Sequence, residues 1–134
     1  MGLNISSTHN NKEATMKNIQ AFDKAKKTGE GFKELNVNRT FYWAYHHSLA
    51  AGTELLNFDD VIWDGDVEEI LENSERFGIK EFTISTNMSG VISTIASFVD
   101  KGCELGGLVV IPSGQTDWET KEKKMIPAVL IRRK

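Results

Sequence analysis

GIKEFTISTNMSGVISTIASFVDKG, residues 78–102, decides the fold. Residues 79–85 alternate, with Lys80, Phe82 and Ile84 on one side and Ile79 and Glu81 on the other, the period of a strand. VISTIASFVDK then reads as a helix, with Val91, Ile92, Ile95, Ala96 and Val99 as its inward face and Gly102 as its stop. GLVVIP, residues 107–112, reads as a buried strand. Strand, helix, strand implies a parallel pair joined by a right-handed crossover. MIPAVLIRRK adds a third strand over about 126–132, expected to return antiparallel, and Pro127 near its start fits an edge or a strand entrance. The expectation is an α/β (α+β) fold, a small three-stranded mixed sheet with helices packed against it.

Outward from this unit the chain reads as helices. Asp66 opens a D-x-x-E capping box with Glu69, and Val67, Ile70, Leu71, Ser74 and Phe77 form one stripe that Gly78 ends. Upstream, Asn38 is placed to cap a helix whose face is Phe41, Tyr42, Tyr45, Leu49 and Ala50, with Gly52 as its stop. ELLNFDDVIW between them follows neither period and reads as a packed connector, with Trp63 anchoring it to the core. Residues 13–35 read as an amphipathic helix and linker, and 1–12 as a flexible polar tail, leaving 36–134 as a single α/β domain.

The totals restrict function. The chain has 134 residues, 16 basic and 19 acidic, which suits one domain and excludes a basic nucleic-acid binder acting as a whole. One cysteine, Cys103, fits a reducing, cytoplasmic setting, and no apolar run approaches a membrane span. Charge is segregated instead. Nine acids lie between Glu54 and Glu75 with no Lys or Arg among them, while the first 35 residues are Lys-rich and the chain ends RRK.

FDDVIWDGDVEEI, GIKEFTIST, the helix leading to GLVVI, and then TDWET and IPA together resemble a family of small uncharacterised α/β proteins. Its members occur in Gram-positive bacteria and on their phages, plasmids and conjugative elements. The resemblance covers roughly residues 40–132. It implies a mobile-element protein, with a counter-defence inhibitor such as an anti-CRISPR as one role, and carries no established reaction.

Three features could carry chemistry. The turn ISTNMSGV, residues 84–91, could hold an anion on a helix N-terminus through Ser85, Thr86, Asn87, Ser89 and Gly90. It lacks both glycine-rich phosphate signatures, and capping by Thr86, Asn87 or Ser89 is the simpler reading. His46 or His47 could serve that turn as a base in a small enzyme. The acids Asp59, Asp60, Asp64, Asp66, Glu68, Glu69, Glu72 and Glu75 could dock on a basic protein surface, such as the nucleic-acid groove of a nuclease, with Trp118 as a further contact. Nucleic acid could also meet the basic termini, including Arg132, Arg133 and Lys134. No catalytic residue, metal site or cofactor is assigned. The favoured reading is a non-enzymatic binding protein.

Overall fold

The structure, a computed structural model, describes residues 31–134, so the tail expected over 1–12 and the helix expected over 13–27 lie outside the described residues. The elements run α1 (Gly31–Glu34), α2 (Arg39–Ala51), β1 (Asn57–Phe58), α3 (Asp64–Arg76), β2 (Glu81–Ser85), α4 (Val91–Asp100), β3 (Glu104–Thr116) and β4 (Lys123–Arg132). Among the described residues the strands form one mixed sheet in the order β1-β2-β4-β3.

The fold class is the one expected, with four strands in place of three. A parallel β-α-β pair is present, but β1, α3 and β2 form it, with Asn57 opposite Thr83 and Phe58 opposite Ile84. β3 runs in the same direction as β2 without touching it, because β4 lies antiparallel between the two. β1 escapes sequence reading because two residues are too few to establish a period.

Helix starts and stops follow local chemistry. Asn38 caps α2, its side chain accepting from the N–H groups of Thr40 and Phe41 at 2.9 and 3.2 Å. Gly52 closes α2 in the left-handed region at φ 81°. The Asn38 side chain also donates to Asp66 and Glu69 at 3.0 and 2.9 Å, which fastens the start of α2 to α3. α3 begins two residues before the expected capping box. Asp66 is its third residue and accepts from the Trp63 N–H at 3.3 Å. The indole has only a donor, so it cannot return the bond as a serine would.

The core joins the sheet to α3 and α4. Phe82 meets Phe58 at 5.4 Å and Phe98 at 5.2 Å, both edge-on, a geometry that adds about 0.5–1.5 kcal/mol per pair beyond area burial. Val67 and Ile70 of α3 are buried in the same cluster. The inward face of α4 differs from expectation. Thr94 and Phe98 are buried, Val91 and Ile95 half-buried, while Ile92 and Val99 are exposed. This helix is apolar on two overlapping stripes, so its period alone could not choose between them. In α2, Phe41, Tyr42 and Tyr45 are buried as expected, but Ser48 turns inward and Leu49 and Ala50 turn out.

β3 is longer and more open than the expected buried strand. Leu105, Leu108 and Val110 on this sheet edge are exposed. A bulge separates Leu105 from Leu108, where Gly107 has φ +90°. A Cβ on Gly106 would stand 2.7 Å from the Leu130 side chain, so no larger residue fits there without movement. Pro127 sits in β4, an inner strand rather than an edge. Its carbonyl accepts the Thr86 N–H at 3.2 Å, just past the end of β2. N–H and C=O of one strand residue point the same way, so the missing N–H faces Thr86, and the β2–β4 ladder ends with this one-sided bond.

Candidate functional site

Two features stand out, an acidic face on α3 and a crevice at the C-terminal ends of β1 and β2. On α3, Asp64, Glu68, Glu72 and Glu75 recur at intervals of four, four and three, which puts them on one helix face. All four are exposed, and none of their carboxylates has a hydrogen bond or ion pair with a described residue. The other acids are engaged within the chain. Asp66 and Glu69 hold Asn38, and Asp59 and Asp60 face His47.

Trp63 precedes this face and is 72% exposed, so it does not anchor the connector to the core. Ile62 does, with 5% exposure. The Thr94 hydroxyl donates to the Ile62 carbonyl at 3.5 Å, which brings the first turn of α4 beside the connector. That turn presents Ile92, 77% exposed. Trp118, 79% exposed, stands in the turn between β3 and β4. Beside it Asp117 accepts from the N–H groups of Glu119 and Thr120 at 2.8 and 3.0 Å. These bonds, that of Thr120 first, hold the Asp117 carboxyl below the usual carboxylate range.

The crevice lies where ligands commonly meet α/β sheets, beyond the C-terminal ends of parallel strands. A cavity of about 420 Å³ lies elsewhere, beside Leu55, Val109, Ile111 and Leu130. The crevice itself encloses about 300 Å³ among Asp59, Asn87, Ser113, Gln115, Lys124 and Ile126. A second cleft of about 20 Å³ borders His47, Asp59 and Ser85. Beneath it runs a buried polar chain. The Thr83 hydroxyl donates to Asn57 Oδ1 at 2.7 Å, and Asn57 Nδ2 donates to Ser85 Oγ at 3.0 Å. The Asn57 N–H donates to Ser48 Oγ at 2.8 Å, which ties α2 to β1.

The 84–91 turn lacks the expected side-chain cap. Gly90 is the N-cap residue of α4, at φ 73° in the left-handed region, and no side chain caps the helix. Thr86 instead donates to the Pro127 carbonyl at 3.1 Å, and Asn87 and Ser89 are exposed. Ser85 is fully buried, so its hydroxyl is not open to a substrate. His46 is buried among rings, 4.6 Å from Tyr42 and 5.4 Å from Tyr45. His47 is half exposed, with Nδ1 3.6 Å from Asp59 Oδ1 and 3.8 Å from Asp60 Oδ2. The trio is hidden in the sequence, because His47 and Asp59 are twelve positions apart and only the unrecognised β1 brings them together.

The C-terminal basic residues are engaged in the fold. Arg132 pairs with Glu81 at 2.8 Å, Arg133 donates to the Ile79 carbonyl at 3.2 Å, and Lys134 lies 3.9 Å from Glu104. Among the described residues no helix is long and apolar enough to cross a membrane.

A family model described as a domain of unknown function (DUF7698) matches residues 40–133. No curated protein and no solved structure matches the chain.

Proposed function

The chain belongs to the DUF7698 family, and from that premise we propose that it is a non-enzymatic binding protein whose acidic α3 face occupies a basic surface of a macromolecular partner. The observation that carries this reading is the stripe Asp64, Glu68, Glu72, Glu75, whose carboxylates pair with no described cation. Like charges at i and i+4 destabilise a helix by about 0.2–0.5 kcal/mol per pair, and the macrodipole offsets this only in the first turn. The stripe therefore works against the fold it sits on, which is understandable if it serves a contact outside the chain.

Its chemistry fits a groove that ordinarily holds nucleic acid. Carboxylates four residues apart on a rigid helix are spaced about 6 Å along its axis and can stand in for phosphates before Lys and Arg. Trp63, exposed beside Val61 and next to Asp64 at the start of the stripe, supplies an apolar anchor of the kind that concentrates binding energy in few residues. A nuclease is the partner class such a surface suits. The resemblance to proteins of mobile genetic elements adds the role of a counter-defence, anti-CRISPR-like inhibitor of a host nuclease.

The test is displacement. The full chain is immobilised, exposed to host lysate and washed with duplex DNA, or with rising salt. The reading expects a captured nucleic-acid-binding protein that both washes release. Bound protein that resists DNA and salt alike, or no bound protein, would overturn it.

A further inference from the structure

The geometry points to a site for a first-row divalent cation formed by His47, Asp59 and Asp60 at the mouth of the crevice. The His47 Nδ1 and the two carboxylate oxygens lie within 4.8 Å of one another. The nitrogen–oxygen distances, 3.6 and 3.8 Å, are too long for hydrogen bonds. They are close to what one ion needs, because ligand atoms each about 2.1 Å from a metal stand roughly 3.0–3.4 Å apart. All three side chains are exposed, so rotation of the two carboxylates closes the set from this starting separation.

The ligands come from two elements that the fold fixes against each other. His47 belongs to the last turns of α2, and Asp59 and Asp60 directly follow β1. Between them the Ser48 hydroxyl accepts the Asn57 N–H at 2.8 Å and donates to the Asn57 carbonyl at 3.3 Å. Their relative position is thus set by buried bonds one and two residues away, independently of any ion.

A separate observation points to an occupant. Ser85 is fully buried, and its Oγ accepts from Asn57, but its own proton reaches no acceptor among the described residues. Ser85 borders the cleft of about 20 Å³ shared with His47 and Asp59. That volume holds one water, which can accept the Ser85 proton and use its other lone pair on a metal ion. Ser85 is thus a buried wall of the cleft that His47 and Asp59 also line. Imidazole with two carboxylates suits Mn²⁺ or Zn²⁺ better than the oxygen-only ions, and solvent fills the remaining positions.

The inference does not depend on the partner reading, since Asp59 and Asp60 are separate from the α3 stripe. The test titrates the isotope-labelled full chain with Mn²⁺ alone and follows paramagnetic broadening of its amides. Broadening is expected to centre on residues 47, 59, 60 and 85, with His47→Ala and Asp60→Asn each weakening binding at least about tenfold. Glu72→Gln is expected to leave it unchanged. Broadening that follows the α3 carboxylates and survives His47→Ala would overturn the site, as would its absence at millimolar Mn²⁺.

Discussion

Asn57 and Ser85 are bonded across the parallel pair, Asn57 Nδ2 donating to Ser85 Oγ at 3.0 Å in a region closed to solvent. The same amide accepts the Thr83 hydroxyl, so one side chain serves two buried hydroxyls of β2. Asn57→Ala leaves both without it. The expected loss is about 2–4 kcal/mol, because each orphaned buried group costs roughly 1–3 kcal/mol. Urea denaturation checks this. Ser85→Ala should cost less, and the two losses should not add, since they remove the same bond.

Asn38 combines two tasks. It caps α2 and fastens it to Asp66 and Glu69 of α3. Asn38→Ala is expected to lower stability by about 1–2 kcal/mol, the upper range for a lost cap. Asn38→Asp keeps the cap but turns a donor into a third carboxylate facing two others. Thermal unfolding should therefore rank wild type above both variants, which a cap-only role would not give for aspartate.

Ser74 is fully buried on the inner face of α3, and its hydroxyl has no partner among the described residues. Removing an unsatisfied buried hydroxyl relieves a desolvation penalty. Ser74→Ala is expected to leave stability unchanged or raise it by up to about 1 kcal/mol, read as a shift in denaturation midpoint.

Burial pushes the Cys103 thiol up, and Arg133 opposes part of that rise. Above the ordinary thiol value the unfolded chain gives up its proton before the folded chain does. Stability from this group is therefore present at neutral pH and falls as the solution becomes alkaline. Denaturation midpoints taken upward from about pH 8.5 should decline less in Cys103→Ala than in wild type. Alkylation of the native thiol should be slow until the chain unfolds.

Legibility followed the number of residues available to fix a period or a cap. α3 was readable because Val67, Ile70 and Ser74 repeat cleanly among acids, and Asn38 and Gly52 marked both ends of α2. β1 was not, since Asn57 and Phe58 acquire strand character only by pairing with Thr83 and Ile84. Missing β1 hid the true β-α-β unit, the insertion of β4 and the approach of His47 to Asp59. The acids were legible as a run, but only the structure separates the four unpaired ones from Asp66 and Glu69, which hold Asn38. Trp63 reads as core beside Ile62, yet the extended backbone before α3 turns adjacent residues to opposite sides.

The central claim is that the α3 stripe serves a partner rather than the fold, and Glu68→Lys tests it most directly. The new lysine faces Asp64 and Glu72 at i−4 and i+4, so the folded chain should gain about 0.5–1 kcal/mol. Capture of a DNA-displaceable partner by this variant, compared with wild type at equal loading, is the measurement. The expected result is a more stable protein that has lost the partner. Undiminished capture, with DNA still displacing it, would contradict the claim.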